Sequence, residues 1–219
     1  MEIPFAQRER SEASSFPPKR ESILRTSGNA PPEAWIPAFA GMTTRRESEV
    51  NMLKDVIAIL ASTPDKMKRE IASMSLQEMK RRPAANKWSV QEVLAHLNDI
   101  EEVGMRARVA AMVYMENPIL PSIDQEKRAE DMNYNRKNPL RSLASFSRQR
   151  QVNLKWLKKL RPAQLKRRGT HRKVGVISVE ELVTEWAFHD LGHLKQILEI
   201  KRYALYPSIG NMKAFYKLS

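Results

Sequence analysis

The chain has 219 residues, with 38 Lys+Arg against 25 Asp+Glu, no cysteine and 42% hydrophobic content. That length fits one core of ordinary size, and that apolar content excludes wholesale disorder. Without cysteine there is neither a disulfide framework nor a thiolate-held zinc or iron–sulfur site, and without a long apolar run neither a membrane span nor a secretory signal is expected, so the expected location is cytoplasmic.

Residues 1–51 differ from the rest. They hold six of the thirteen prolines and balance seven basic against seven acidic groups, so the whole net charge of +13 belongs to residues 52–219. Neither helical nor strand periodicity is visible there, and the composition predicts a disordered extension. The stretch from Arg25-Thr-Ser-Gly-Asn29 through Trp35-Ile-Pro-Ala-Phe-Ala-Gly-Met-Thr43 resembles the translated product of a short repeat element scattered through some bacterial genomes. That resemblance implies a start assigned too early, with Met52 as the true one.

From Met52 the pattern is helical. Leu53, Val56, Ile57 and Leu60, continued by Met67, Ile71 and Met74, define a first helix that Thr63-Pro64 kinks or restarts. Ser75 and Glu78 form a capping box for a short helix ending before Pro83. Ser89 and Glu92 cap a second long helix running to about Met115, with Trp88 and Val93 as its hydrophobic staple. Glu116 to Pro139 is a long connection. A third helix spans Leu140 to Leu160, with Leu143, Phe146, Leu154, Leu157 and Leu160 inward. Arg161 to Gly175 reads as a basic loop, and the β-rich Lys173-Val-Gly-Val-Ile177 is too short to predict a strand. Ser178 and Glu181 cap a fourth helix reaching about Arg202, with a tail beyond Tyr206. The expected fold is all-α, a four-helix bundle with one long crossover between helices two and three.

The positive charge is densest from Arg148 to Lys173, with eleven Lys/Arg and no acid. Such a field favours an anionic partner: nucleic acid, acidic lipid or a small anionic substrate. With Trp156 alone inside that run, a stacking platform for single strands is poorly supported.

The histidines break the apolar seams. Leu182, Trp186, His189, His193, Gln196 and Ile200 follow 4-3 spacing along the fourth helix, and Val93, His96, Ile100, Val103 and Ala107 follow it along the second. A buried polar side chain without a partner costs roughly 1–3 kcal/mol, so three imidazoles in such seams want a shared partner. A divalent transition metal is one, and three protein ligands leave a position for water or substrate. Core histidines satisfied one by one are the other reading, and HxxxH alone is a weak pattern.

Trp88-Ser-Val-Gln-Glu-Val-Leu-Ala-His96-Leu-Asn-Asp-Ile-Glu101 resembles the second-helix motif of the DinB-like (DinB/YfiT-like) metal-binding bundle family. Gly169-Thr-His171-Arg-Lys-Val-Gly175, with His189-Asp-Leu-Gly-His193-Leu-Lys-Gln196 downstream, resembles its fourth-helix motif. The resemblance covers about residues 52–206. It implies an up-down-down-up bundle, a metal held by His96, His189 and His193, and a homodimer. Some relatives transfer low-molecular-weight thiols, and others are called hydrolases. Where the family has His-Pro, this chain has His171-Arg172.

Three residues are candidates for supporting the ligands: Asp190, Gln196 and Glu101, the last able to pair with Arg150 on the third helix. Lys166, Arg167, Arg168, Arg172 and Lys173 form a candidate anion-attracting loop, and His171 is expected to be an exposed loop residue. No catalytic group is assigned beyond a water on the metal. The expected cofactor is a divalent transition metal, zinc or nickel first, with iron or manganese also possible for imidazole ligands. The expected function is a metal-dependent thiol S-transferase or hydrolase acting on a small molecule. The alternative is a non-catalytic, metal-stabilised bundle that binds nucleic acid or a protein through its basic face.

Overall fold

The computed structural model describes residues 45–218, with side chains from Leu53 onward. The expectations for residues 1–44 lie outside the described residues. Residues 45–51 already belong to the first helix, seven residues earlier than Met52.

In chain order the helices are α1 (Arg45–Ile71), α2 (Leu76–Lys80), α3 (Val90–Ile100), α4 (Ala107–Tyr114), α5 (Gln125–Asp131), α6 (Pro139–Leu157), α7 (Pro162–Leu165) and α8 (Val179–Leu205). Three strands, β1 (Ile119–Leu120), β2 (Arg168–His171) and β3 (Gly175–Ser178), accompany them, with 3-10 segments at Tyr134–Arg136 and Tyr206–Phe215. The helix starts are local chemistry. Ser75, Ser89 and Ser178 each accept from the backbone N–H three residues on, while Glu78, Glu92 and Glu181 reach back to the serine N–H.

Pro64 does not break α1, which is continuous through it. A proline in a helix leaves the carbonyl four residues earlier without its donor. Here that carbonyl belongs to Leu60, and the Arg150 Nη1 of α6 donates to it at 2.8 Å. A tertiary hydrogen bond replaces the missing helical one.

A second difference lies between α3 and α4. The predicted single helix is continuous, but Glu101–Arg106 form a π-helical turn. The extra residue shifts the inward face. Val103 is half-buried and Ala107 exposed, whereas Glu101, Gly104, Met105 and Val109 are buried. The 4-3 seam therefore holds up to Ile100 and slips by one beyond it.

The all-α expectation also needs correcting. The β2–β3 hairpin turns at Gly175, whose φ of +84° suits glycine, and β1 adds to β2 in parallel. Lys173–Ile177 is too short to read as a strand alone; Lys173 and Val174 lie in the turn, and Gly175–Ser178 finds its ladder partner in Arg168–His171. Gly169 permits close approach to the crossover. A Cβ there would lie 2.9 Å from Met112 Cγ and 3.1 Å from the Pro118 carbonyl oxygen.

The core has two apolar clusters. One joins Leu60 of α1, Met105, Val109 and Met112, Leu157 of α6, and Val183 and Trp186 of α8. The other joins Met67 and Ile71 of α1, Val93 and Leu97 of α3, Phe146 of α6, and Ile197 and Ile200 of α8. Along α1, α6 and α8 a buried polar level separates them, with Thr63, Arg150 with Asn153, and Asp190, and along α3 and its continuation His96 and Glu101 flank the change from one cluster to the other. The chain is thus a helical bundle with a small sheet at one end. Among the described residues no helix is long and apolar enough to cross a membrane.

Candidate metal centre

His96, His189 and His193 meet at that polar level. The His189 Nε2 lies 3.2 Å from His96 Nε2 and 3.1 Å from His193 Nε2, and one ligand atom from each ring falls within 4.8 Å of the others. His96 comes from α3, seven residues after its cap, and the other two sit one turn apart on α8. Among the described residues this is the one group of three or more such side chains close enough to hold an ion.

The electrostatics favour neutral rings. Burial pushes His96 well below the ordinary histidine range, and the neighbouring rings and Arg128 add to this. Burial, His193 and Arg150 take His189 down to about 3. Burial lowers His193 as well, against the hydrogen bond to Gln196. Neutral imidazole is the ligating form.

The hydrogen bonds test whether a cation fits. Gln196 Oε1 accepts from His193 Nδ1 at 2.8 Å, which leaves the His193 Nε2 lone pair aimed at its two neighbours. A single proton on His189 Nε2 cannot serve both adjacent nitrogens at full strength. The Nδ1 atoms of His96 and His189 are buried and meet no protein partner, so nothing in the protein locks those tautomers. Two imidazoles bound tetrahedrally at about 2.0–2.1 Å place their nitrogens about 3.3 Å apart, close to the two short separations here. The donor set fits one divalent ion.

Other sequence candidates lie elsewhere. Glu101 and Asp190 do not support the histidines through hydrogen bonds. Glu101 accepts from Arg150 Nε and Nη2 at 2.9 and 2.8 Å, from Asn153 at 2.9 Å and from Trp186 Nε1 at 3.1 Å. Asp190 accepts from Arg150 Nη1 at 2.5 Å and Nη2 at 3.1 Å. Adjacent residues on a helix diverge by about 100°, so Asp190 turns to Arg150 as His189 turns to the other rings. Burial works against the Arg150 charge, but Asp190 and Glu101 more than offset it and hold the guanidinium above its ordinary range. Gln196 orients a ring instead of lining a rim.

The basic loop is partly spent on structure. Arg167 donates to the Met112 and Met115 carbonyls at 2.7 and 2.5 Å, Arg168 begins β2, and Arg172 and Lys173 occupy the hairpin turn. This hairpin precedes the start of α8, about 16 Å along the axis from His189 at 1.5 Å per residue. Any pull it exerts on an anion at the trio acts through the field and not by contact. His171 ends β2, half-buried, and its Nδ1 accepts from the Lys173 N–H at 3.2 Å.

Periodicity alone misses the wall of the site. Trp88 stacks parallel to His193 at 6.4 Å between centroids and tilts over His96 at 5.0 Å. Tyr134, from the crossover, packs edge-on to both Trp88 and His96. Its hydroxyl donates to Asp99 Oδ2 at 2.6 Å, and Arg128 of α5 pairs with the same carboxylate. Asp99 lies three residues after His96, so the crossover is fastened beside the trio. The Asp99–Tyr134 spacing within an Asn/Asp-rich connection carried no periodic signature to find.

Known proteins can now be compared with this geometry. The sequence profile of the DinB superfamily matches residues 59–197. The chain belongs to the DinB superfamily. A protein of Oceanobacillus iheyensis, described as "Putative metal-dependent hydrolase OB0782", is 23% identical over 152 residues, spanning 68% of this chain and 86% of that protein. The solved structure of YfiT from Bacillus subtilis superposes with a TM-score of 0.64 at 21% identity, covering 73% of this chain and 88% of that one. YfiT is described as a probable metal-dependent hydrolase with an unusual four-helix bundle topology. In this DinB-superfamily chain the three histidines all fall within the matched residues.

Gln196 gives a direct check on this arrangement. Gln196→Leu keeps the volume but removes the acceptor for His193 Nδ1–H. Loss of such a supporting bond is expected to weaken metal affinity about 10–100-fold, read by competition with a chromogenic chelator. Melting of the metal-free protein should barely change.

Proposed function

We propose that the chain is a metal-dependent enzyme acting on a small molecule, of hydrolase or thiol S-transferase type, with His96, His189 and His193 as the ligands. The observation that carries this reading is the convergence of three neutral Nε2 atoms inside the bundle. When bound, a divalent ion supplies Lewis acidity and activates water or a thiol as nucleophile near neutral pH. The residues of the chain do the rest. Gln196 fixes the His193 tautomer, Trp88 and Tyr134 exclude water from one side, and Asp99 with Arg128 holds the crossover there. A thiol nucleophile must come from a cosubstrate, because the chain has no cysteine.

The same reading includes zinc or nickel as the first candidates, with iron or manganese next, a homodimer and a cytoplasmic location. It also includes the up-down-down-up order. That order is supported by the sequence in which the helices visit the two apolar clusters: α1 and α8 run from the first to the second, α3–α4 and α6 from the second to the first. The alternative of a non-catalytic bundle is weakened at one point, since Arg150 of the basic run is buried and ion-paired.

The test is metal content of native protein by mass spectrometry, followed by a screen of ester and amide hydrolysis and of thiol transfer from low-molecular-weight thiols. A first-row metal with chelator-sensitive turnover is the expected result. Native protein without such a metal overturns the reading.

A further inference from the structure

The outer face of α6 and the turn that follows it carry chemistry that the metal centre does not use. Arg141, Arg148, Lys155 and Lys159 recur at spacings of seven, seven and four, and all four are exposed. None has an ion-pair partner among the described residues. Arg148 also lines a cavity of about 340 Å³ between α6 and the π-helical turn, with Arg106, Gln149, Val152 and Asn153. Glu102 is the single carboxylate in that lining, outnumbered by the two arginines.

Aromatic rings flank this row, which the sequence alone did not place there. The Arg106 guanidinium lies 3.5 Å over the Trp156 ring, and Trp156 Nε1 donates to the Tyr114 hydroxyl at 3.3 Å. Among the described residues Arg106 has no carboxylate partner, and burial lowers its pKa below the ordinary range. Tyr114 is 69% exposed, so its ring is presented to solvent. A line of unpaired cations ending in stacked planar groups matches a backbone of phosphates bearing unstacked bases. Tyr and Trp rings suit a bilayer surface as well, but seating there also needs an apolar face, and Val152 is the one exposed aliphatic within the row.

We propose that this face, Arg148, Lys155 and Lys159 with Arg106, Trp156 and Tyr114, is a binding site for single-stranded nucleic acid, separate from the histidine centre. The cations hold the phosphates, and a base stacks on Tyr114 beside the Arg106–Trp156 pair.

The experiment uses the full chain and a short fluorescein-labelled oligothymidylate, read by anisotropy from about 50 to 200 mM salt. Binding should weaken with salt. In the combined variant Arg148→Ala, Lys155→Ala, Lys159→Ala, affinity should fall and the log–log salt slope should become shallower by about 2, at ~0.7 per lost phosphate contact. Tyr114→Ala should lose about tenfold on the oligonucleotide and nothing on heparin, a polyanion without bases. Tyr114→Phe should keep the stacking and the affinity. All these side chains are exposed, and circular dichroism confirms folding. Absence of salt-dependent binding, an unchanged slope in the triple variant, or oligonucleotide affinity indifferent to Tyr114→Ala would overturn the proposal. So would tighter binding to phosphatidylserine vesicles than to the oligonucleotide.

Discussion

Replacing His96 with alanine is expected to abolish stoichiometric metal binding. His96 is the one member of the trio on α3, and its ring is fully buried. Losing a ligand should exceed the about 10–100-fold cost of losing a supporting hydrogen bond. The second readout is thermal. An ion that binds only the folded chain stabilises it by mass action, about 2.7 kcal/mol at one hundred times its dissociation constant. The melting temperature of the parent protein should therefore rise with added zinc or nickel, and that of His96→Ala should stay flat. Equal metal content in the two proteins, or equal melting shifts, would leave the three rings as a polar core without a cation.

Arg150→Met is expected to cost about 3–5 kcal/mol, the largest effect on folding proposed for this chain. The change keeps much of the volume but strands Glu101 and Asp190, both about 1% exposed, without their cation. It also leaves the Leu60 carbonyl, already without its helical donor because of Pro64, unsatisfied. Burial already holds the Asp190 carboxyl above its ordinary range against the pull of Arg150, so without Arg150 it titrates higher in the folded variant than in its unfolded chain. The folded variant then binds more protons, and its deficit shrinks as pH falls toward the unfolded carboxylate range. Urea melts at several pH values check both points. Adding Glu101→Gln and Asp190→Asn to Arg150→Met should recover part of the loss. A variant as stable as the parent at neutral pH would show that the network contributes nothing net.

These two residues also show what the sequence could disclose. The histidines were legible because a capped helix has a fixed period, so residues at 4-3 spacing share a face whatever packs against it. The serine–glutamate boxes are equally local, and every one lies where it was expected. Arg150 is different. One position in a run of eleven cations looks solvated, and its burial depends on carboxylates from two other helices and a carbonyl from a third. Its pairing with Glu101 was open to anticipation; the arrival of Asp190 and Leu60 was not. The strands were hidden because each is too short to read without its partner. Tyr134 and Arg128 were hidden because Asp99, the group that recruits them, is distant in sequence.

The π-helical turn at Glu101–Arg106 has one consequence for how the chain tolerates change. A helix with a surplus residue carries two phases, offset by about 100°. Residues upstream, including His96, are indexed from one reference, and residues from Met105 onward from another. Removing one residue from this turn would restore a regular helix and leave the residues beyond it in register with α8, whereas regularising the turn with all its residues kept would rotate them by about 100°. The turn thus works as a phase adjuster: it takes up one surplus residue between the segment bearing the imidazole and the segment closing the far end of the bundle, and both keep their faces toward the core.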